Sequence, residues 1–129
     1  MKFIAIISLL ISLLLLGCSK KPSQNDVIGS YYINIPSSAG VLALYPNGTY
    51  QHKYKNENNQ DEILSDSWEF EIIEGWPTVV LHDFKSNITG VDNFPRHGYF
   101  LLKATLAGNA CRLLVDSDRG IYFEKISQK

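Results

Sequence analysis

Basic charge is scarce in this 129-residue chain: 12 lysines and arginines stand against 13 aspartates and glutamates, for a net charge of −1. A nucleic-acid binder usually shows a clustered basic surplus, so no nucleic-acid partner is expected. Histidine is scarcer still. His52, His82 and His97 are the only three, and none falls at the i, i+2 or i, i+4 spacing of a metal-binding pair. No metal site and no cofactor are implied. Serine is common, yet there is no Gly-x-Ser-x-Gly elbow and no Ser-x-x-Lys motif in the globular region. The chain is therefore read as non-enzymatic. Asp116, Asp118 and Gly120 have the outline of a calcium loop without its remaining oxygen ligands, and a hairpin turn accounts for them.

Long apolar runs are also few, and one dominates. Lys2 supplies a positive start, and Phe3 to Leu16 is apolar throughout apart from Ser8 and Ser12. As a helix this segment reaches only about 21 Å against a hydrocarbon core of roughly 30 Å, which fits a cleaved secretory leader better than a retained span. Leu15-Leu16-Gly17-Cys18 follows and resembles the bacterial lipobox. That resemblance implies cleavage after Gly17, diacylglycerol on the Cys18 thiol and acylation of the new amine. Two or more acyl chains make a stable bilayer anchor where one is marginal. Ser19, in place of an aspartate after the cysteine, implies transport to the outer membrane in a Gram-negative host, so the expected location is the cell envelope, facing the periplasm or the cell surface.

Removing 17 of the 129 residues leaves 112, enough for one domain and too few for two. The expected division is a signal peptide at 1–17, a lipidated cysteine and flexible polar tether at 18–26, and a globular domain at 27–129. With Cys18 committed to lipid, Cys111 has no partner within the chain, and no disulfide holds the fold. Cys111 shares a strand face with Leu113 and Val115, which predicts a buried, inert thiol. Seven carboxylates and no Lys or Arg lie between Glu57 and Glu74. They read as a solvated loop and an outward strand face.

From residue 28 on, short β-branched and aromatic runs alternate with Gly, Asn, Asp and Pro turns, the pattern of antiparallel β structure. Strands are expected at Ile28 to Ile35, Val41 to Tyr45, Thr49 to Lys55, Ser67 to Ile72, Thr78 to Phe84, Tyr99 to Leu106, Ala110 to Val115 and Ile121 to Ile126. Pro46-Asn47-Gly48 predicts a tight hairpin in which Asn-Gly takes positive φ. Period two places Tyr50, His52 and Tyr54 on the core face, with Gln51, Lys53 and Lys55 in water, and sets Trp68, Phe70 and Ile72 against the intervening glutamates. Asn56 to Asp66 and Lys85 to His97 read as surface loops, and Glu74 to Pro77 as a turn.

The order of features resembles the small lipocalin-like lipoproteins of bacteria. Gly29-Ser30-Tyr31 opens the first strand, with Tyr31 where lipocalins carry a tryptophan. A leucine strand runs into Asn47-Gly48-Thr49-Tyr50, a strand bearing Trp68 follows, and Gly120 initiates the closing strand. The resemblance implies an all-β antiparallel meander of about eight short strands, forming a small lipocalin-like barrel or a strongly curved sheet. Most of the aromatic residues are needed to fill such a core. Tyr32, opposite Tyr31 on its strand, and Trp76, beside Pro77, are the candidates for ligand or partner contact. The expected function is a membrane-anchored binding module for a small apolar ligand or another envelope protein. The alternative is an inhibitor of a host or competitor hydrolase, with the acidic Glu57 to Asp66 loop entering the enzyme's cleft.

Overall fold

The structure, a computed structural model, describes residues 20–35, 40–56, 58–84, 98–108 and 110–126. Strands β1 (Gly29–Ile33), β2 (Val41–Leu44), β3 (Thr49–Lys55), β4 (Asp61–Ile73), β5 (Trp76–His82), β6 (Tyr99–Ala107), β7 (Ala110–Asp116) and β8 (Ile121–Lys125) follow one another around a closed antiparallel barrel. Every strand pairs with its sequence neighbours. The sheet closes where Tyr31, Tyr32 and Ile33 of β1 meet Lys125, Glu124 and Phe123 of β8. The protein is thus an up-and-down barrel of lipocalin-like architecture, and closure leaves no free sheet edge there for another strand to join.

Alternation decides what goes inside. Tyr31, Leu42, Leu44, Tyr50, Val79, Leu81, Leu102, Leu113 and Phe123 point inward and are essentially fully buried, with Trp68, Phe84, Phe100, Ala104 and Cys111 among them. An eight-stranded barrel has an interior that side chains can fill or that can hold one small ligand, and among the described residues large side chains pack into this one. Cys111 is buried beside Tyr31, and burial raises the pKa of its thiol above the ordinary cysteine value. Strand β5 is buried on both faces, from Pro77 through Leu81. Pro77 tolerates its place because it stands next to the strand's first residue, where a missing N–H costs little.

Several local expectations need correction. Residues 61–66 are the first half of the 13-residue β4, not part of a loop. They pair with β3 through Lys55, Tyr54 and Lys53, so the hairpin loop shrinks to Asn56–Gln60. The Asn56 side-chain oxygen accepts from the backbone N–H groups of Asn58 and Gln60, and Asn59 takes positive φ. Cross-strand pairing outweighed the polarity of this stretch. The next turn is only Glu74-Gly75, both at positive φ, and Trp76 and Pro77 already belong to β5. At Pro46-Asn47-Gly48 only the glycine is left-handed. Asn47 contributes instead through its side-chain oxygen, which accepts from the N–H and hydroxyl of Thr49.

The polar segment before β1 is also more structured than a tether. Pro22 is buried and Gln24–Val27 forms a single helical turn, α1. The Asp26 carboxylate accepts from the Ser23 N–H and hydroxyl, bonds that hold its pKa below the usual carboxylate range. Val27 is fully buried and its carbonyl accepts from the Tyr31 hydroxyl, while Lys125 donates to the carbonyl of Asp26. The tyrosine at this position thus ties α1 into the base of the barrel. Cys18 and the signal peptide, Ser19, and the loop expected over Lys85 to His97 lie outside the described residues.

Candidate functional site

With Tyr31 turned inward, period two turns Tyr32 outward. The pairing registers then align Tyr32, Val41, Lys53 and Ile63 in one row across the outer face of β1, β2, β3 and β4. Tyr32 is 56% exposed and Ile63 61%. Between them runs an open groove of about 430 Å³, completed by Gly40, Tyr54, Lys55, Asp61 and Glu62. On the other side of Tyr32 lies a smaller depression of about 160 Å³, lined by Ile33, Asn34, Glu124 and Lys125. Tyr32 therefore stands as an aromatic ridge between two hollows.

Charges at the tip of the β3–β4 hairpin are paired with one another. Lys55 Nζ lies 2.9 Å from Asp61 Oδ1. Glu62 accepts from the Tyr54 hydroxyl at 2.7 Å and from the Asn56 amide at 2.9 Å. That hydrogen bond is the main cause raising the Tyr54 pKa. These groups are paired within the hairpin, so the groove offers Tyr32, Val41 and Ile63 as apolar surface, with the exposed Lys53 among them.

Trp76, the second candidate contact residue, is 39% exposed and lies at the opposite end of the barrel. Lys21 Nζ sits 5.7 Å and Lys103 Nζ 5.9 Å from its ring centroid, within cation–π range. Lys21 also donates to the carbonyl of Gly75 at 3.0 Å. The structure therefore keeps Tyr32 and Trp76 apart as two surfaces.

His52 and His82 do not converge. His52 points into the barrel and is 2% exposed, stacked on Tyr54 at 4.9 Å and Phe84 at 4.6 Å. Its Nδ1 has no hydrogen-bond partner among the described residues, and burial pushes its pKa down to about 4. His82 faces outward beside Tyr99, with Nε2 3.7 Å from Glu69. His97 lies outside the described residues. Among the described residues no group of three or more His, Cys, Asp or Glu side chains is placed to hold a metal. The Asp116 carboxylate is occupied by its own turn, accepting from the N–H groups of Asp118 and Arg119 and from the Arg119 guanidinium at 2.7 Å.

Sequence reasoning found the exposed tyrosine but missed what lies beside it, because Ile63 fell within a stretch read as loop. The signal available was Ile63-Leu64, an apolar pair amid polar residues. The contact of Lys21 with Trp76 had no sequence signal. Compared with family models, with curated proteins and with solved structures, the chain matches none.

Proposed function

We propose that the protein is a non-enzymatic, lipid-anchored envelope lipoprotein whose barrel engages another envelope protein through the outer groove beside Tyr32. A single contrast supports this reading: among the described residues large side chains pack into the barrel's interior, whereas an aromatic and an aliphatic side chain stand exposed on either side of an outer groove. A small-ligand carrier needs its apolar surface inside a cup, whereas a docking module needs it outside. Inhibition of a hydrolase would call on free carboxylates for a basic target, but Asp61 and Glu62 are engaged within the hairpin.

The test is a photocrosslinking residue placed at position 32 in cells of the native host, with position 71 at the opposite end of the barrel as control. A discrete adduct from position 32, absent from 71 and lost with Ile63→Asp, is the expected result. Absence of any adduct from 32, together with a small apolar molecule retained in native mass spectrometry, would return the function to ligand carriage.

A further inference from the structure

The apolar residues at the α1 end of the barrel differ in kind from those of the groove. Tyr45 follows β2, Ile72 sits near the end of β4, and Trp76 opens β5, so all three lie at the end of the barrel that holds α1. All are exposed, Ile72 by 62%. Lys21 and Lys103 flank the tryptophan, and Lys20 precedes them on the surface. Glu71 and Glu74 stand on the same end, so its charges nearly cancel. Tyrosine and tryptophan with lysines around them are the side chains that favour the boundary between headgroups and hydrocarbon, where the rings bury their apolar bodies and the amines reach water.

Chain length adds a second, independent constraint. Lys21 is held to Gly75 and to the Trp76 ring, and it stands only three residues after Cys18. Three extended residues reach at most about 11 Å. An acylated sulfur, buried at the level of the acyl chains, would therefore keep Trp76 within reach of the headgroups whatever the barrel's rotation. We propose that the Tyr45–Ile72–Trp76 end rests on the lipid bilayer, so that the barrel stands upright with the Tyr32 groove at its far end. This rests on the anchored reading given above. Because the charges nearly cancel, three lysines against two glutamates, the contact is with the bilayer interface itself and does not require anionic lipid.

The experiment uses the complete mature lipoprotein, purified in detergent and reconstituted into phosphatidylcholine vesicles with and without brominated acyl chains, alongside Trp76→Phe. Trp68 is buried in the barrel and common to both proteins, so their difference reports Trp76. The expected result is a blue-shifted Trp76 emission, roughly halved by brominated lipid as befits an interfacial tryptophan. The same signal should resist an aqueous quencher. An acylated protein whose Trp76 emission ignores brominated lipid and yields to the aqueous quencher would overturn the docking while leaving the anchor intact. A mass showing Cys18 without acyl chains would remove the anchor, and the docking with it.

Discussion

At the end of the barrel that holds α1, β2 turns into β3 across residues 45–48, β4 into β5 through Glu74-Gly75, and β6 into β7 across two residues, Ala107 pairing directly with Ala110. At the other end the connections run from residue 34 to 40, from 56 to 60, from 83 to 98 and from 117 to 120. Antiparallel strands need only a two-residue turn, so the short connections satisfy geometry and the long ones exceed it. Surplus loop is where binding surfaces are usually found, positioned by a rigid scaffold. The groove beside Tyr32 opens at the long-looped end. Under the proposed function, the short-connected end is the one that seats the barrel and the other is the one that makes contact.

The sharpest way to break this contrast is Trp68→Ala. Trp68 is buried and its indole N–H donates to the carbonyl of Tyr45 at 2.9 Å, bracing the short-turned end. Thermal or chemical unfolding should show a loss of about 3–5 kcal/mol; a loss under about 1 kcal/mol would mean that this end is not where stability resides.

Acidification probes the long-looped end. His52 has a folded-state pKa of about 4 against 6.5 when unfolded. Between those values the unfolded chain binds a proton that the folded protein refuses, so stability falls as pH drops from 6.5 toward 4 and this contribution levels off below. The loss should reach about 3 kcal/mol. His52→Phe should flatten that part of the stability–pH curve, and a curve unchanged by the substitution would show that the imidazole is not the group responsible.

Gly75, with φ of +77°, has open space where a side chain would sit, so Gly75→Ala tests backbone conformation alone. About 1 kcal/mol should be lost in the unfolding midpoint. The smallest expected effect is that of Tyr32→Ser, within about 0.5 kcal/mol of wild type in stability, while crosslinking to the partner should disappear. If Tyr32→Ser destabilised the barrel as Trp68→Ala does, the groove would be scaffold and not contact surface.

Much of this organisation was legible from alternation. The bounds Thr49 to Lys55 needed no change, and Tyr50, His52 and Trp68 went inward as their period required, whereas Tyr54, expected on the core face, is half-buried at the groove with its hydroxyl donating to Glu62. Alternation failed in two instructive places. Ile72 is in phase with Trp68 and Phe70 yet exposed, because at the end of a strand the inward face opens onto the rim. Phe84 lies beyond β5 yet is buried against His52, which no strand period could indicate. Of the candidate surfaces, Tyr32 was readable as the outward neighbour of Tyr31. The groove was not, since it arises from residues of four strands brought into one row.

The pairing of β1 with β8 also has a consequence for how the chain reaches its shape. Each hairpin of the meander can form locally, but β1 finds its second partner only after β8 has been made. During synthesis the first strand must therefore wait with one edge bare, and contacts of such wide sequence separation form late and slowly. A ribosome-bound chain lacking Ile121–Lys125 would expose the outer edges of both β1 and β7, so its vulnerability to aggregation should end abruptly when that five-residue strand emerges.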